Sequence, residues 1–267
     1  MGKISIMGAG AMGSAIIKGL INSKFNEPSD ICVYDVDLNK SMSVAHAYGV
    51  GYVEVPSGLL DPNTRILLLA VKPQNIQSAL EPIRSSIGNE TLVISIAAGV
   101  SSKLLLSILG EDIRLIRSMP NAAAMVGQSA TAVCKAGKAS DEDVKIAAEF
   151  FSSIGKVVVV EEKYINAVTA LSGSGPGYLF VIMEALSDAG VFTGLSRDVA
   201  KLLTIQTVLG AATMALESNM PFSSLKDQIT SPAGTTISGL KLLERSGIRG
   251  IMMETVEAAK TRADEII

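Results

Sequence analysis

Two hydrophobic rhythms divide this chain. Up to about Val160, short apolar runs alternate with amphipathic stretches. The runs Lys3–Met7, Ile31–Tyr34, Arg65–Ala70, Thr91–Ser95, Ile113–Ser118 and Lys156–Val160 are apolar at consecutive positions, as strands buried on both faces are. Between them, apolar residues recur at helical spacing over Met12–Ser23, Leu38–Ala47, Asn75–Ser85, Lys103–Leu109 and Asp141–Ser153. Ser140 and Asp143 form a capping pair at the start of the last stretch. Strands spaced by helices predict a parallel sheet covered on both faces, a doubly wound α/β domain over residues 1–161.

After Val160 the two-residue period disappears. Helical patterns run over Lys163–Ala189 with a break at Gly173–Pro176, then Asp198–Ser218, Ser223–Ile229, Thr236–Ser246 and Arg249–Ile267. The reading is an all-α domain over residues 162–267. Small residues at Gly210-Ala211-Ala212 and Ala258-Ala259 let its helices approach closely. So short a helical domain has large apolar faces to bury, which predicts packing against a second copy of the chain.

Composition narrows the class. The chain has 267 residues, 48% apolar and 18% charged, which marks a globular protein. Only 4% of residues are aromatic and the net charge is −3, so neither the stacking platforms nor the basic footprint of a nucleic-acid binder is expected. Apolar runs such as Ile66–Val71 are far shorter than the roughly 20 residues of a membrane span. There are two cysteines, Cys32 and Cys134, and no CxxC pair; Cys32, within an apolar run, reads as a buried free thiol, and the set points to a reducing, cytoplasmic setting.

The strongest chemical signal lies at the N-terminus. Ile4-Ser5-Ile6-Met7 leads directly into Gly8-Ala9-Gly10-Ala11-Met12-Gly13, a GxGxxG turn that follows a strand and opens a helix, the context a dinucleotide-binding (Rossmann-like) motif requires. Gly8 permits the tight turn, Gly10 lets a pyrophosphate approach the backbone, and Gly13 lets the helix pack on the sheet. Asp35, about 20 residues beyond, closes the second strand where a carboxylate meets ribose hydroxyls; it also reads as a helix cap. A carboxylate there favours NAD(H) over NADP(H), and Lys40, the nearest following cation, offsets it, so both cofactors stay open.

What the chain lacks matters too. Its one histidine, His46, falls mid-helix and reads as a solvated residue, and no metal-ligand cluster is evident. A dehydrogenase of hydroxy acids needs a proton acceptor as hydride leaves. A protonated C=N bond accepts hydride without a strong general acid, so the site has mainly to orient it. The turn Ser231-Pro232-Ala233-Gly234-Thr235-Thr236 offers hydroxyls and successive N–H groups at a helix start, suited to a carboxylate, and reads equally as an inter-helix turn. Ser172-Gly173-Ser174-Gly175-Pro176-Gly177 is either a close packing site or a pocket wall.

Ile6–Gly13, Ala70-Val71-Lys72-Pro73-Gln74, Ser95-Ile96-Ala97-Ala98-Gly99-Val100, Arg117-Ser118-Met119-Pro120-Asn121, Ala170–Pro176 and Ser231–Thr236 together resemble the pyrroline-5-carboxylate reductase family nearly end to end. The resemblance implies a Rossmann domain followed by a helical domain that dimerises, in some members building rings of dimers. It implies hydride transfer from NADPH or NADH to the C=N bond of 1-pyrroline-5-carboxylate, giving L-proline. By likeness, Gly8, Ala9, Gly10, Ala11, Met12 and Gly13 hold the pyrophosphate. Val71, Lys72 and Pro73 line the adenosine and nicotinamide-ribose side, and Ala97 and Ala98 lie near the nicotinamide. Ser231, Ala233, Gly234 and Thr235 take the substrate carboxylate, Thr236 offers its hydroxyl to the ring nitrogen, and Glu162 is a further substrate-side candidate. Many members read Pro-Gly-Gly where this chain has Pro232-Ala233-Gly234, a departure that matters if position 233 needs a positive φ.

Two rival readings remain at this level. A hydroxy-acid dehydrogenase of similar build places a catalytic lysine on the first long helix of its second domain, and Tyr178–Ala189 contains none. A non-catalytic dinucleotide-binding protein would bind the cofactor without turnover.

Overall fold

The structure, a computed structural model, describes residues 2–265; Met1, Ile266 and Ile267 lie outside the described residues, so the expected helix Arg249–Ile267 is followed only to Glu265. The chain divides into two compact units: one runs to Ser174 and takes in the chain from Ala259 onward, the other is Gly175–Ala258.

An eight-stranded sheet organises the first unit. Its strands are β1 (Lys3–Met7), β2 (Ile31–Tyr34), β3 (Gly51–Tyr52), β4 (Thr64–Leu69), β5 (Leu92–Ser95), β6 (Arg114–Met119), β7 (Ser129–Gly137) and β8 (Gly155–Val159). Their order, β3-β2-β1-β4-β5-β6-β7-β8, reverses direction between β1 and β4. Consecutive apolar residues on β1, β2, β4, β5 and β6 serve two cores, whereas the edge strand β8, expected to be buried on both faces, leaves Val158 and Val159 exposed. Ile6, Val33, Leu68, Ile94 and Ile116 face one with helices α1 (Ala11–Asn22) and α5 (Asp141–Ser152). Met7, Leu67, Leu69, Val93 and Leu115 face the other with α3 (Ile76–Leu80) and α4 (Ser102–Leu109). Helix α2 (Leu38–Tyr48) packs Val44 and Ala45 into the first core. Such two-faced burial is why the strands read as unbroken apolar runs.

Two strands were not expected, and the sheet is mixed: β7 runs antiparallel to β6, while the other pairs are parallel. β7 carries small residues at Ala130, Ala132 and Cys134 in place of a branched apolar run, so it lacks the usual strand signal. Pairing with β6, at Arg117 opposite Cys134, holds it in place. The expected helix Asn75–Ser85 is shorter, with a 3₁₀ turn at Pro73–Asn75 before α3.

The helical stretch after β8 opens with a 3₁₀ turn at Glu162–Tyr164, then α6 (Ile165–Val168) and a π-turn at Thr169–Gly173. The second unit contains α7 (Gly175–Phe192), α8 (Arg197–Ser218), α9 (Phe222–Gln228), α10 (Thr235–Arg245) and the start of α11 (Ile248–Glu265). α7 and α8 pack together, with Gly190 so close to Ala200 that an added Cβ would lie 2.9 Å from the alanine's. Yet Phe180, Phe192, Leu202, Leu209 and Leu216 are exposed, and the residues buried on α7 and α8 are Ser187, Ala200 and Thr204. α8 is, by length and composition, apolar enough to cross a membrane, which the sequence reading did not anticipate.

One ion pair anchors α5. Asp143, 1% exposed, accepts from Arg114 of β6 through Nε at 3.2 Å and again through Nη2, and from the Ser140 N–H at 2.8 Å. Ser140 Oγ accepts from the Asp143 N–H at 3.2 Å, completing the expected capping box. Burial works against the charge, but the bonds from Arg114 and Ser140 hold this carboxyl below the usual aspartate range. A depressed folded value means stability present above the unfolded value near 3.9 and lost as pH falls through the folded one. Asp143→Asn is therefore expected to lower unfolding free energy at pH 7 by about 3 kcal/mol. In urea titrations the gap to wild type should close as pH falls below about 4. A gap independent of pH would remove the ion pair from the account.

Candidate active site

The reversal of strand order places a cleft of about 590 Å³ beyond the carboxyl ends of β2, β1 and β4, lined by Gly8, Gly10, Asp35, Val36, Val71 and Lys72 among others. Gly8 has φ +115°, and an added Cβ would lie 2.5 Å from the Ala70 carbonyl oxygen. An added Cβ at Gly13 would overlap the Gly8 carbonyl oxygen, whereas at Gly10 it would meet nothing within 4 Å. Gly10 thus leaves open the approach a pyrophosphate needs, and Gly8 and Gly13 secure the turn and the helix packing. α1 begins at Ala11 with Gly10 as its N-cap and no side chain capping it, so its first N–H groups are left for an anion. The donor set fits a dinucleotide.

Asp35 is not the cap of α2; Asp37 is, its side chain accepting from the Asn39 N–H at 3.2 Å. Asp35 instead accepts from the Ala9 N–H at 2.8 Å and the Asp37 N–H at 3.0 Å, tying the end of β2 to the glycine turn. Lys72 and Pro73 leave β4 into the 3₁₀ turn, with Lys72 exposed and Pro73 half-buried. Ala97 is buried and Ala98 half-buried in the turn after β5, which the Ile96 N–H fixes to the Leu69 carbonyl at 3.1 Å.

Glu162 is engaged elsewhere in the first unit. Its carboxylate accepts from the Ser102 N–H at 2.8 Å, from the Ser102 hydroxyl, and from Arg117 Nη1 at 3.1 Å. It therefore stands at the first turn of α4, just after the Ala97–Val100 turn, where the helix dipole favours an anion. Burial opposes its charge; the Ser102 and Arg117 bonds outweigh it and hold the carboxyl below the usual glutamate range. Burial beside Glu162 pushes the Cys134 thiol up to about 11, leaving it a packing residue. Arg117 and Ser102 were missed as site neighbours because they meet Glu162 from 45 and 60 residues away, with no local signal.

Asn121, which ends the Arg117–Asn121 motif, donates to the Ser172 carbonyl at 2.9 Å. An added Cβ at Gly173 would lie 2.8 Å from the Met119 methyl, so this glycine is a close packing site, while Gly175 and Gly177 have open space.

In the second unit, Ser231–Thr236 forms a turn closed by the Gly234 N–H to the Ser231 carbonyl at 3.1 Å. Ala233 takes φ +56°, the left-handed conformation in which a methyl group is awkward. Gly234 is the N-cap of α10, with no side chain bonding the helix's first N–H groups; Thr235 is exposed and Thr236 half-buried. The turn can accept an anion and offer hydroxyls.

Comparison with known proteins assigns the two regions. Residues 162–266 match the family model described as pyrroline-5-carboxylate reductase dimerisation, and residues 3–99 match NADP oxidoreductase coenzyme F420-dependent. The chain is 42% identical to a pyrroline-5-carboxylate reductase of Methanosarcina acetivorans, covering 99% of this chain and 97% of that protein. Among solved structures, a pyrroline-5-carboxylate reductase of Coxiella burnetii superposes with a TM-score of 0.94 at 36% identity, covering 99% and 98% of the two chains. A Plasmodium falciparum pyrroline carboxylate reductase with NADP bound gives a TM-score of 0.88 at 32% identity, again over 99% and 98%.

The Glu162–Arg117 pair can be tested separately. Arg117 is 5% exposed, so Glu162→Ala leaves a buried guanidinium without its counter-charge. Urea unfolding is expected to show a loss of about 3 kcal/mol, with Glu162→Gln losing less because the Ser102 bonds can persist. An unchanged midpoint in Glu162→Ala would contradict a positioning role.

Proposed function

The chain belongs to the pyrroline-5-carboxylate reductase family, and on that premise we propose how its residues divide the work of reducing a cyclic imine. It is an NAD(P)H-dependent oxidoreductase that acts on the C=N bond of 1-pyrroline-5-carboxylate and yields L-proline. The observation that carries this reading is the glycine-turn cleft at the strand-order reversal, in a chain related to these reductases along its whole length.

Gly8 and Ala9, their N–H groups bonded to Tyr34 and Asp35, shape the turn, and Gly10, Ala11, Met12 and Gly13 hold the pyrophosphate on backbone N–H groups at the positive end of α1. Asp35, Val71, Lys72 and Pro73 line the adenosine and ribose side, and Ala97 and Ala98 flank the nicotinamide. When bound, the reduced dinucleotide supplies a hydride to the imine carbon. Ser231, Ala233, Gly234 and Thr235 present N–H and hydroxyl groups to the substrate carboxylate, and Thr236 donates its hydroxyl to the ring nitrogen, where charge falls as the bond is reduced. Glu162 contributes by holding the start of α4, at the end of the Ala97–Val100 turn.

Residues 162–267 constitute the dimerisation and substrate domain in this proposal, and residues 1–161 the dinucleotide domain. Support for a homodimer, or a larger ring of dimers, comes from the dimerisation match and from the exposed Phe180, Phe192, Leu202 and Leu209, too much apolar surface for two helices to leave in water. The same need accounts for the apolar character of α8. A cytoplasmic location is supported by two free, buried cysteines.

Incubation with 1-pyrroline-5-carboxylate should oxidise NADH or NADPH, read as loss of absorbance; no oxidation of either at saturating substrate refutes the reading. Thr236→Ala should lower kcat/KM about 100-fold while leaving dinucleotide affinity unchanged. An unaltered kcat/KM takes Thr236 out of the site. Sedimentation at micromolar protein should show a dimer or a multiple of it, and monomer alone would rule the homodimer out.

A further inference from the structure

We propose that the adenosine end of the cleft selects NADH over NADPH, and that Asp35, immobilised by the glycine turn, is the selecting group. The proposal deepens the dinucleotide reading of the cleft and rests on it.

The geometry separates a carboxylate that happens to lie nearby from one that cannot leave. Asp35 Oδ2 accepts from the Ala9 N–H at 2.8 Å and Oδ1 from the Asp37 N–H at 3.0 Å. Its own N–H donates to Ser41 Oγ, buried in α2, at 2.7 Å. Two bonds thus hold the carboxylate and a third holds its backbone, between the turn and α2. A carboxylate has about four lone-pair sites, of which the two N–H groups use two, leaving acceptor capacity for the 2′- and 3′-hydroxyls of a ribose. A 2′-phosphate offers no comparable set of donors and brings a charge of about −1.5 to −2. Side-chain rotation away from that charge would break the bond to Ala9, which is part of the pyrophosphate turn itself.

The nearby cation does not reverse this. Lys40 lines the same cleft, but its Nζ lies 3.6 Å from Asp37 Oδ2, so its charge is already shared. Lys72, the other cation lining the cleft, follows β4, two strands across from β2. No arginine is among the residues lining the cleft.

The test is a binding comparison on the full chain, independent of turnover. Fluorescence titration should give NADH a Kd at least about tenfold below that of NADPH, a difference of one decade in affinity. ADP should raise the melting temperature more than 2′,5′-ADP at equal concentration. Asp35→Asn, which keeps the shape and removes the charge, should narrow the NADH-to-NADPH ratio by about tenfold. Added salt should narrow the wild-type gap in the same direction, since Asp35 is only half-buried and its charge stays open to screening. Equal or tighter NADPH binding by the wild type overturns the selectivity, whatever the variant does. So does an Asp35→Asn variant that shifts both affinities equally. Binding of neither dinucleotide would instead overturn the reading of the cleft.

Discussion

The dinucleotide half depends on a backbone crowding at the strand-order reversal. The Gly8 N–H bonds the Tyr34 carbonyl at 2.7 Å and the Ala70 N–H bonds the Met7 carbonyl at 2.8 Å, so the carboxyl ends of β2, β1 and β4 are drawn to one point. No Cβ fits at Gly8 or Gly13 there. Because the turn is this tight, α1 starts immediately after it, and its uncapped N–H groups fall beside the cleft and not above a longer loop. Asp35 is held by the same turn, so the proposed pyrophosphate and ribose contacts would both follow from one local constraint.

A second regularity concerns charge. β6 carries Arg114 and Arg117, three residues apart and therefore on opposite faces of the sheet. Each reaches a carboxylate at the first turn of a helix on its own face: Arg114 to Asp143 at α5, Arg117 to Glu162 at α4. The carboxylates satisfy helix N–H groups and the arginines neutralise what burial would otherwise make costly. The strand thus ties helices to both faces of the sheet. On the Glu162 side, that fixes the helix following the turn proposed to flank the nicotinamide.

Which features were legible in the residues follows from the range of the interactions that make them. The glycine turn, the Ser140–Asp143 capping box and the solvated His46 are set within a few residues, and each was readable. β1, β2, β4 and β5 were readable because burial on both faces leaves a continuous apolar run. β7 was not: its small residues are strand-like only when paired with β6, a contact that no local window contains. The same holds for Glu162. The family resemblance made it a substrate-side candidate, and its bonds to Ser102 and Arg117 could not be read locally because they converge from distant parts of the chain. In the second unit, helical periodicity was clear, but the burial it implies is missing from the single chain, where Phe180, Phe192, Leu202 and Leu209 stay exposed.

The Ser231–Thr236 turn shows how local geometry constrains two neighbouring positions differently. At Gly234 the demand is mild, since the Ser231 hydroxyl that a Cβ would meet can rotate aside, leaving a tight 3.1 Å approach to the Ser231 carbonyl oxygen, and the backbone at φ −76° is open to any residue. At Ala233 the demand is conformational, because φ is +56° and a side chain there costs roughly 1 kcal/mol. The chain keeps the left-handed turn with an alanine in it and does not relax to an unstrained one. That requires the surrounding bonds to fix the shape: the Gly234 N–H to the Ser231 carbonyl at 3.1 Å, and the Gly234 carbonyl receiving the Ser238 hydroxyl at 3.1 Å as α10 begins. The Pro-Ala-Gly sequence therefore holds a left-handed residue at position 233, where a glycine would carry no such cost. Its N–H groups stay in the arrangement proposed to receive the substrate carboxylate, at the expense of stability and not of geometry.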